Sequence, residues 1–444
     1  MPPKHWPRPK SRNVGLFTDL RLFSEALELT SEQGSITKHY LQEELSQRVH
    51  GLLFIERQSP KSVEHLLREL RGIGWLRSTG RGSKLSDSMS YHLTPDGEAA
   101  FNLFRQSNRK FLRLLTAKMQ ELYTIPGWFV HRLWTINPEG QGEVVVPTPP
   151  RGWNPSSRQW EDKEWTPELA TQTEKTLDII QSVCPGGFPI KEDDWIESVE
   201  SAWNRLSSLK RRKVAKPSGE SVGTEKRQMK TYTPRRRLAL AMREAAVNFL
   251  FSSKPPYVDS EDFWMPKPPL LPRTYMAWCP RLEALELIFY TDVHPTLPGR
   301  LIFPTSVFRA SAPQHTFEEL SAIKNPDGES LWLHQPSWES MKGRFFTALS
   351  QEHQRASARV GSLYVSLLDV RDEVCRQLRL SAARFDDFIE EALRESLRPG
   401  SRWSISVETD IREDQRSAFQ LIRRPAWIDG TPHSLIAITE IRSA

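Results

Sequence analysis

The sequence holds three cysteines, Cys184, Cys279 and Cys375, and no two of them form a C-x-x-C pair. This excludes a disulfide framework and a cysteine zinc ribbon, and it fits a reducing compartment. Long apolar runs are also missing. The most apolar stretches, Leu285 to Tyr290 and Ala245 to Phe251, fall far short of the ~20 residues that cross a bilayer. No membrane partner is expected. The first residues carry Lys4, Arg8, Lys10 and Arg12 and no acid, but no apolar stretch follows them, so no secretory signal is expected there. Catalytic signatures are absent as well. There is no G-x-x-x-x-G-K-[ST], no G-x-G-x-x-G after a strand, no H-E-x-x-H and no G-x-S-x-G. Ser207–Lys210 and Ser321–Lys324 satisfy S-x-x-K alone, without the companion motifs of serine acyl enzymes. Glu192-Asp193-Asp194 and Glu408-x-Asp410 read as surface carboxylates before they read as a Mg²⁺ site. His65 has no second His or Cys at ligand spacing. No cofactor and no metal are expected.

What is present is enough for folded cores. Hydrophobic residues make up 38% and charged residues 26% of 444 residues, a prior of about three domains at roughly 150 residues each. Proline (33) exceeds glycine (22), which points to short elements and ordered connections. Lys plus Arg outnumber Asp plus Glu by 61 to 55, a mild excess that is unevenly spread. Residues 151–200 hold 11 acids against 5 bases, whereas 205–237 hold 12 bases against 2 acids. The expected organisation is a basic arm (1–14), an N-terminal domain (15–125) and a Pro/Trp-rich acidic connection with helices (126–204). A basic linker (205–237), an α+β domain (238–358) and a C-terminal domain (359–444) follow. The fold class is α+β with a central mixed α/β region.

The N-terminal domain is the most informative part. Leu16 to Leu29 and Ile36 to Val49 show helical apolar spacing. Ser59-Pro60 opens a third helix with a capping residue and a first-turn proline, and its apolar stripe is Val63, Leu66, Leu67 and Leu70. Gly72 and Gly74 end it. Trp75 to Ser78 and Ser90 to Leu93 read as two strands joined through Gly80-Arg81-Gly82-Ser83-Lys84, and Thr94-Pro95-Asp96-Gly97 caps a helix running towards Leu122. Between 360 and 444 the reading is again helix, helix, hairpin. The helices are near Leu367–Leu378 and Ala382–Ser396, the second capped by Ser381. Strands are expected at Trp403 to Ile411, Phe419 to Ile422 and Leu435 to Ile441.

This order of helix, capped helix, Gly-ended junction, basic Gly-rich tip and Tyr91-His92-Leu93-Thr94-Pro95-Asp96-Gly97 resembles a winged-helix domain, most like the MarR and PadR groups of bacterial DNA-binding proteins. It covers about a quarter of the chain. The C-terminal domain is expected to be a second, winged-helix-like module. The resemblance implies that the third helix lies in the major groove and the wing along the backbone. With the apolar stripe facing the core, Lys61, Ser62, His65 and Arg68 take the outer face. Arg77, Arg81 and Lys84 of the wing neutralise phosphates. Lys210, Arg211, Arg212, Lys213, Arg235, Arg236 and Arg237 in the basic segment are candidates for tracking the backbone. The second helix of the C-terminal domain, with Asp386, Asp387, Glu390, Glu391 and Glu395 against Arg384, Arg394 and Arg398, is a poor groove reader. It reads as a docking surface for another protein or as a solvated face.

The expected function is that of a non-enzymatic accessory subunit of a larger DNA-acting assembly. Its partners are double-stranded DNA and, through the C-terminal half, other protein subunits. By analogy with where large winged-helix proteins occur, the setting is prokaryotic defence or mobile-element machinery, in the cytoplasm and nucleoid-associated when DNA-bound. Two alternatives stand beside it: an interaction scaffold of kleisin-like plan with winged-helix modules at both ends, and a divergent metal-dependent nuclease at 238–355.

Overall fold

The computed structural model describes residues 20–49, 60–79, 89–122, 129–130, 132–133, 136–137, 142–150, 153, 164–186, 188, 190–208, 234–251, 271–291, 294–305, 307–309, 317–324, 330–409, 426–429 and 431–441. Within them the chain is mixed α+β, with twelve helices and five small antiparallel sheets. No helix among the described residues is long and apolar enough to cross a membrane.

The N-terminal part runs α1 (Arg21–Gln33), β1 (Ile36–Thr37), α2 (Lys38–Val49), α3 (Pro60–Gly72), β2 (Leu76–Ser78), β3 (Ser90–Leu93), α4 (Pro95–Gln106) and α5 (Asn108–Leu122). The three strands pair in the order β1-β3-β2. Two expectations change here. The sequence places Ile36 and Thr37 at the start of a helix, but they form a strand on β3, with Ile36 opposite Tyr91. Two β-branched residues suit a pleated pair better than a helical turn. The single helix expected from Thr94 towards Leu122 is broken at Ser107, which is extended (φ −164, ψ 113) and caps α5 through its hydroxyl. The expected helix start at Leu16 and the expected cap at Ser59 lie outside the described residues.

The central part contributes β4 (Val144–Pro147), α6 (Pro167–Val183), α7 (Glu192–Ser208), α8 (Pro234–Phe251), α9 (Leu271–Ala284), β5 (Ile288–Thr291) and β6 (Gly299–Pro304). β4 comes from the stretch expected to be an irregular connection, and it pairs with β6 in a β4-β6-β5 sheet. Val144, Val145 and Val146 are all fully buried. A continuous apolar run of this kind marks a strand covered on both faces, and α6 and α8 both pack on β4. The basic linker is also shorter than expected. α7 extends to Ser208, and Pro234 opens α8, so Arg235, Arg236 and Arg237 are helical. Proline at the first helical position is pre-set for this start and needs no N–H partner. The second three-stranded sheet, β7 (Val307–Arg309), β8 (Phe317–Lys324) and β9 (Ser330–Pro336), pairs in the order β7-β9-β8 with a bulge between Glu319 and Ser321. Ser321 and Lys324 therefore sit on a strand.

The C-terminal part runs α10 (Trp338–Val360), β10 (Val365–Ser366), α11 (Leu367–Leu378), α12 (Ala382–Ser396), β11 (Trp403–Glu408), β12 (Ala426–Ile428), β13 (Thr431–His433) and β14 (Leu435–Glu440). The boundary expected at 358 falls inside α10, whose buried residues include Phe345, Ala348 and Leu349 and which packs on α11 and α12. The sheet order is β10-β14-β11. Set against the N-terminal part, the element order and the strand order repeat: helix, short strand, helix, helix, then two longer strands with the last in the middle. The β12–β13 hairpin is inserted between them. Within this part, α11 and α12 begin and end where caps and periodicity place them, and Ser381 Oγ accepts from Arg384 N at 3.0 Å as the cap of α12. The strand expected at Phe419 to Ile422 lies outside the described residues. The buried apolar residues form one continuous core from Leu20 to Ile438.

One close approach explains the Thr-x-x-Gly sequence that follows β3. Thr94 Oγ1 accepts from Gly97 N (3.1 Å) and Thr94 N donates to Trp75 O (3.0 Å), which presses the first turn of α4 onto the start of β2. A methyl group on Gly97 would collide with the Trp75 carbonyl, a backbone atom that cannot turn away. Gly97→Ala is therefore expected to destabilise the protein by about 1–3 kcal/mol, the usual range for overpacking. A urea midpoint unchanged by this substitution would contradict the packing described.

Candidate nucleic-acid interface

α3 is held by Val63, Leu66, Leu67 and Leu70, each at most 1% exposed. Their spacing fixes which side chains remain outside. Arg68 is exposed and ion-paired with Glu64 one turn before it, and His65 is half-buried. Lys61 and Ser62 lie in the first turn of α3, but their side chains are outside the described residues. Gly74, with φ +82, turns the chain from α3 into β2. Arg77 follows on β2, exposed, opposite His92 of β3. Arg81 and Lys84 of the expected wing tip, and Lys210, Arg211, Arg212 and Lys213, lie outside the described residues. The structure thus brings Arg68 and Arg77 onto the outside of one module, with the buried Trp75 between them in sequence.

Of the basic segment, Arg235, Arg236 and Arg237 lie at the start of α8. Arg237 lies over the Trp203 ring, 5.0 Å from its centroid, and Arg235 donates to Pro150 O at 3.4 Å. Both tie the start of α8 to the chain's own middle, although Arg235 and Arg236 keep exposed surface. The tryptophans of the Pro-rich connection that are described also pack. Trp165 meets Trp203 edge-on at 6.3 Å, and Trp153 rests on the core. Glu192, Asp193 and Asp194 are exposed in the first turn of α7, where carboxylates offset the helix dipole.

Four polar clusters that the sequence does not single out join the parts. Glu69 of α3 turns inward to Arg281 of α9, with 2.5 Å between Oε2 and the guanidinium. Arg281 is only 2% exposed and also lies 5.2 Å from the Trp278 centroid. Arg109 of α5 reaches Asp387 of α12 at 2.5 Å. Thr296 Oγ1 donates to Glu373 of α11 at 3.2 Å. Glu143, just before β4, takes Arg376 (2.8 Å from Nε), Arg379 (3.1 Å) and the Cys184 thiol (2.7 Å). Arg379 has a left-handed backbone (φ +58) and lies 4.8 Å from the Phe303 centroid. Only the types of residue are visible in the sequence; partners as distant as Glu69 and Arg281, 212 positions apart, carry no local signal.

Comparison with protein-family models, with curated proteins and with solved structures finds no match for this chain. The site therefore rests on its own geometry.

The Glu143 cluster has a defined electrostatic sign. Burial pushes the Glu143 carboxyl up, but Arg376, the Cys184 thiol and Arg379 outweigh it, and the group ionises more readily than an ordinary carboxyl. Burial, then the Glu143 carboxylate, pushes the Cys184 thiol up to about 12, so it stays protonated and donates. A carboxyl whose folded value is depressed stabilises the fold above its unfolded value, ~4.3, and that contribution is lost as pH falls through the folded value. Glu143→Gln takes the carboxylate from two half-buried arginines and is expected to cost about 3 kcal/mol at neutral pH, the low end for breaking a buried pair. Urea unfolding at neutral pH and again in acid checks this: the gap between wild type and variant should narrow as pH falls. A constant gap would contradict the depressed carboxyl.

Proposed function

We propose that this chain is a DNA-binding accessory subunit of a larger DNA-acting assembly, contacting duplex DNA through its N-terminal module. The observation that carries the reading is the order α1-β1-α2-α3-β2-β3 with the strands paired β1-β3-β2, an order that matches a winged helix. In a winged helix the position of α3 is that of the helix entering the major groove, and the β2–β3 hairpin is the wing. Arg68 on α3, ion-paired with Glu64 one turn before it, and Arg77 on β2 lie on the outside at the two places where that docking needs cations, and Lys61, Arg81 and Lys84 extend the same two elements in sequence. Glu69, which would repel phosphate from the groove side, is neutralised inward by Arg281. The partners proposed are double-stranded DNA and, through the C-terminal half, other protein subunits.

A second reading, an interaction scaffold with winged-helix modules at both ends, is favoured by one observation: the same element and strand order recurs from α10 to β14. The two readings part on whether the chain binds duplex at all.

Fluorescence anisotropy of a labelled random-sequence duplex, titrated at several salt concentrations, tests the proposal. Binding in the range of about 10⁻⁴–10⁻⁶ M at physiological salt is expected, weakening linearly on a log–log plot. Replacing Lys61, Arg68, Arg81 and Lys84 together by Ala should weaken binding and flatten the slope by about 0.9 for each phosphate no longer neutralised. Absence of binding even at low salt would leave the scaffold reading.

A further inference from the structure

Side chains of a strand alternate between its two faces. On β3, Tyr91 points inward and is fully buried, so the half-buried His92 next to it points outward. It lies directly opposite the exposed Arg77 of β2. Opposed side chains on one face of an antiparallel pair start about 4.5–5.5 Å apart at Cβ. β1, β2 and β3 contain no carboxylate. Among the described residues the Arg77 guanidinium makes no ion pair and no hydrogen bond. The His92 ring makes one hydrogen bond, between Nδ1 and Gly34 O at 3.1 Å. Gly34, with φ +69, closes α1, so this bond ties β3 to the end of that helix. α1 and α4 also pack on β3. Their carboxylates, Glu25, Glu28 and Glu32 of α1 and Asp96 and Glu98 of α4, make no ion pair with His92.

The Gly34 bond fixes what His92 can offer. A carbonyl oxygen only accepts, so Nδ1 carries the proton. In the neutral ring Nε2 is then a bare acceptor, and only the imidazolium has a donor there. Phosphate oxygens in DNA accept and do not donate, so His92 meets a phosphate only as the imidazolium. Two cations directly opposite each other repel in the free chain, and an anion lying between them reverses the sign.

We propose that Arg77 and His92 form a two-residue site for one backbone phosphate of the duplex, with His92 engaged as the imidazolium. This rests on the DNA-binding reading above and names a regulation of the same site: binding takes up a proton. By linkage, affinity rises as pH falls and is lost as pH rises.

The test is fluorescence anisotropy of the full chain on a labelled random-sequence duplex at fixed salt. It is read at about pH 8 and about pH 6, on the two sides of the range in which histidine changes charge. His92→Asn runs beside the wild type, because the shorter amide keeps a donor for Gly34 O and carries no charge at either pH. On going to the lower pH the wild type is expected to gain about three- to tenfold more affinity than the variant gains. Its log–log salt slope should steepen by about 0.9, the mark of one more phosphate neutralised. Equal gains and equal slopes in the two proteins overturn the inference, because other histidines such as His39 and His65 then account for the whole effect. If the variant does not fold, the wild type alone decides. The His92 imidazole, followed by NMR, must hold its proton to higher pH with duplex bound than without, and an identical titration in the two states overturns the inference. Absence of binding at both pH values overturns the DNA-binding reading and this inference with it, whereas binding without the difference overturns only the His92 assignment.

Discussion

The carboxylate of Glu143 is the point on which the arrangement of the middle and the end of the chain depends. It sits just before β4, almost fully buried, and receives Arg376 of α11, Arg379 just after that helix and a thiol from the end of α6. Taking these charges out of water is costly and is compensated only by close geometry. The carboxylate can satisfy all three donors only while β4, α6 and α11 hold their places. Arg376 also donates to Val183 O at 3.1 Å, which fixes the end of α6 a second time. The apolar core runs continuously beneath these contacts, so packing supplies the attraction and the ion cluster selects one relative placement.

The same device recurs where the N-terminal module meets the rest, with the buried Glu69–Arg281 pair fixing α3 against α9; Arg109 and Asp387 add a half-exposed pair between α5 and α12. The consequence for function is orientation. α3 is not merely the third helix of a small module on a tether; one face is tied to the body of the chain, and Arg68 and Arg77 remain on the outside. On the proposed DNA-binding reading, this tie sets the direction in which α3 and the β2–β3 hairpin are offered.

Much of the fold was legible where local chemistry decided it. α11, α12 and β3 begin and end at the expected residues because caps, turns and apolar periodicity all agree there. Two of the misses are non-local: Ile36 and Thr37 join a distant strand by register with Tyr91 and Ser90, and β4 is recruited by β6 across the whole middle of the chain. The start of α8 at Pro234 is instead a local proline signal inside a charge run. Of the four α3 side chains expected outside, Arg68 is exposed and His65 half-buried, while those of Lys61 and Ser62 lie outside the described residues. The inward turn of Glu69, the packing of Arg237 on Trp203 and the internal use of the α12 carboxylates depend on partners that sequence spacing does not reveal.

The most direct test asks which helix touches DNA. A photo-crosslinking side chain is placed at position 68 on α3 in one preparation and at position 394 on α12 in another, both exposed positions, and each is irradiated with duplex DNA. DNA adducts are predicted from position 68 and none from position 394. Adducts from 394 with none from 68 would contradict the assignment of α3 as the DNA-reading helix.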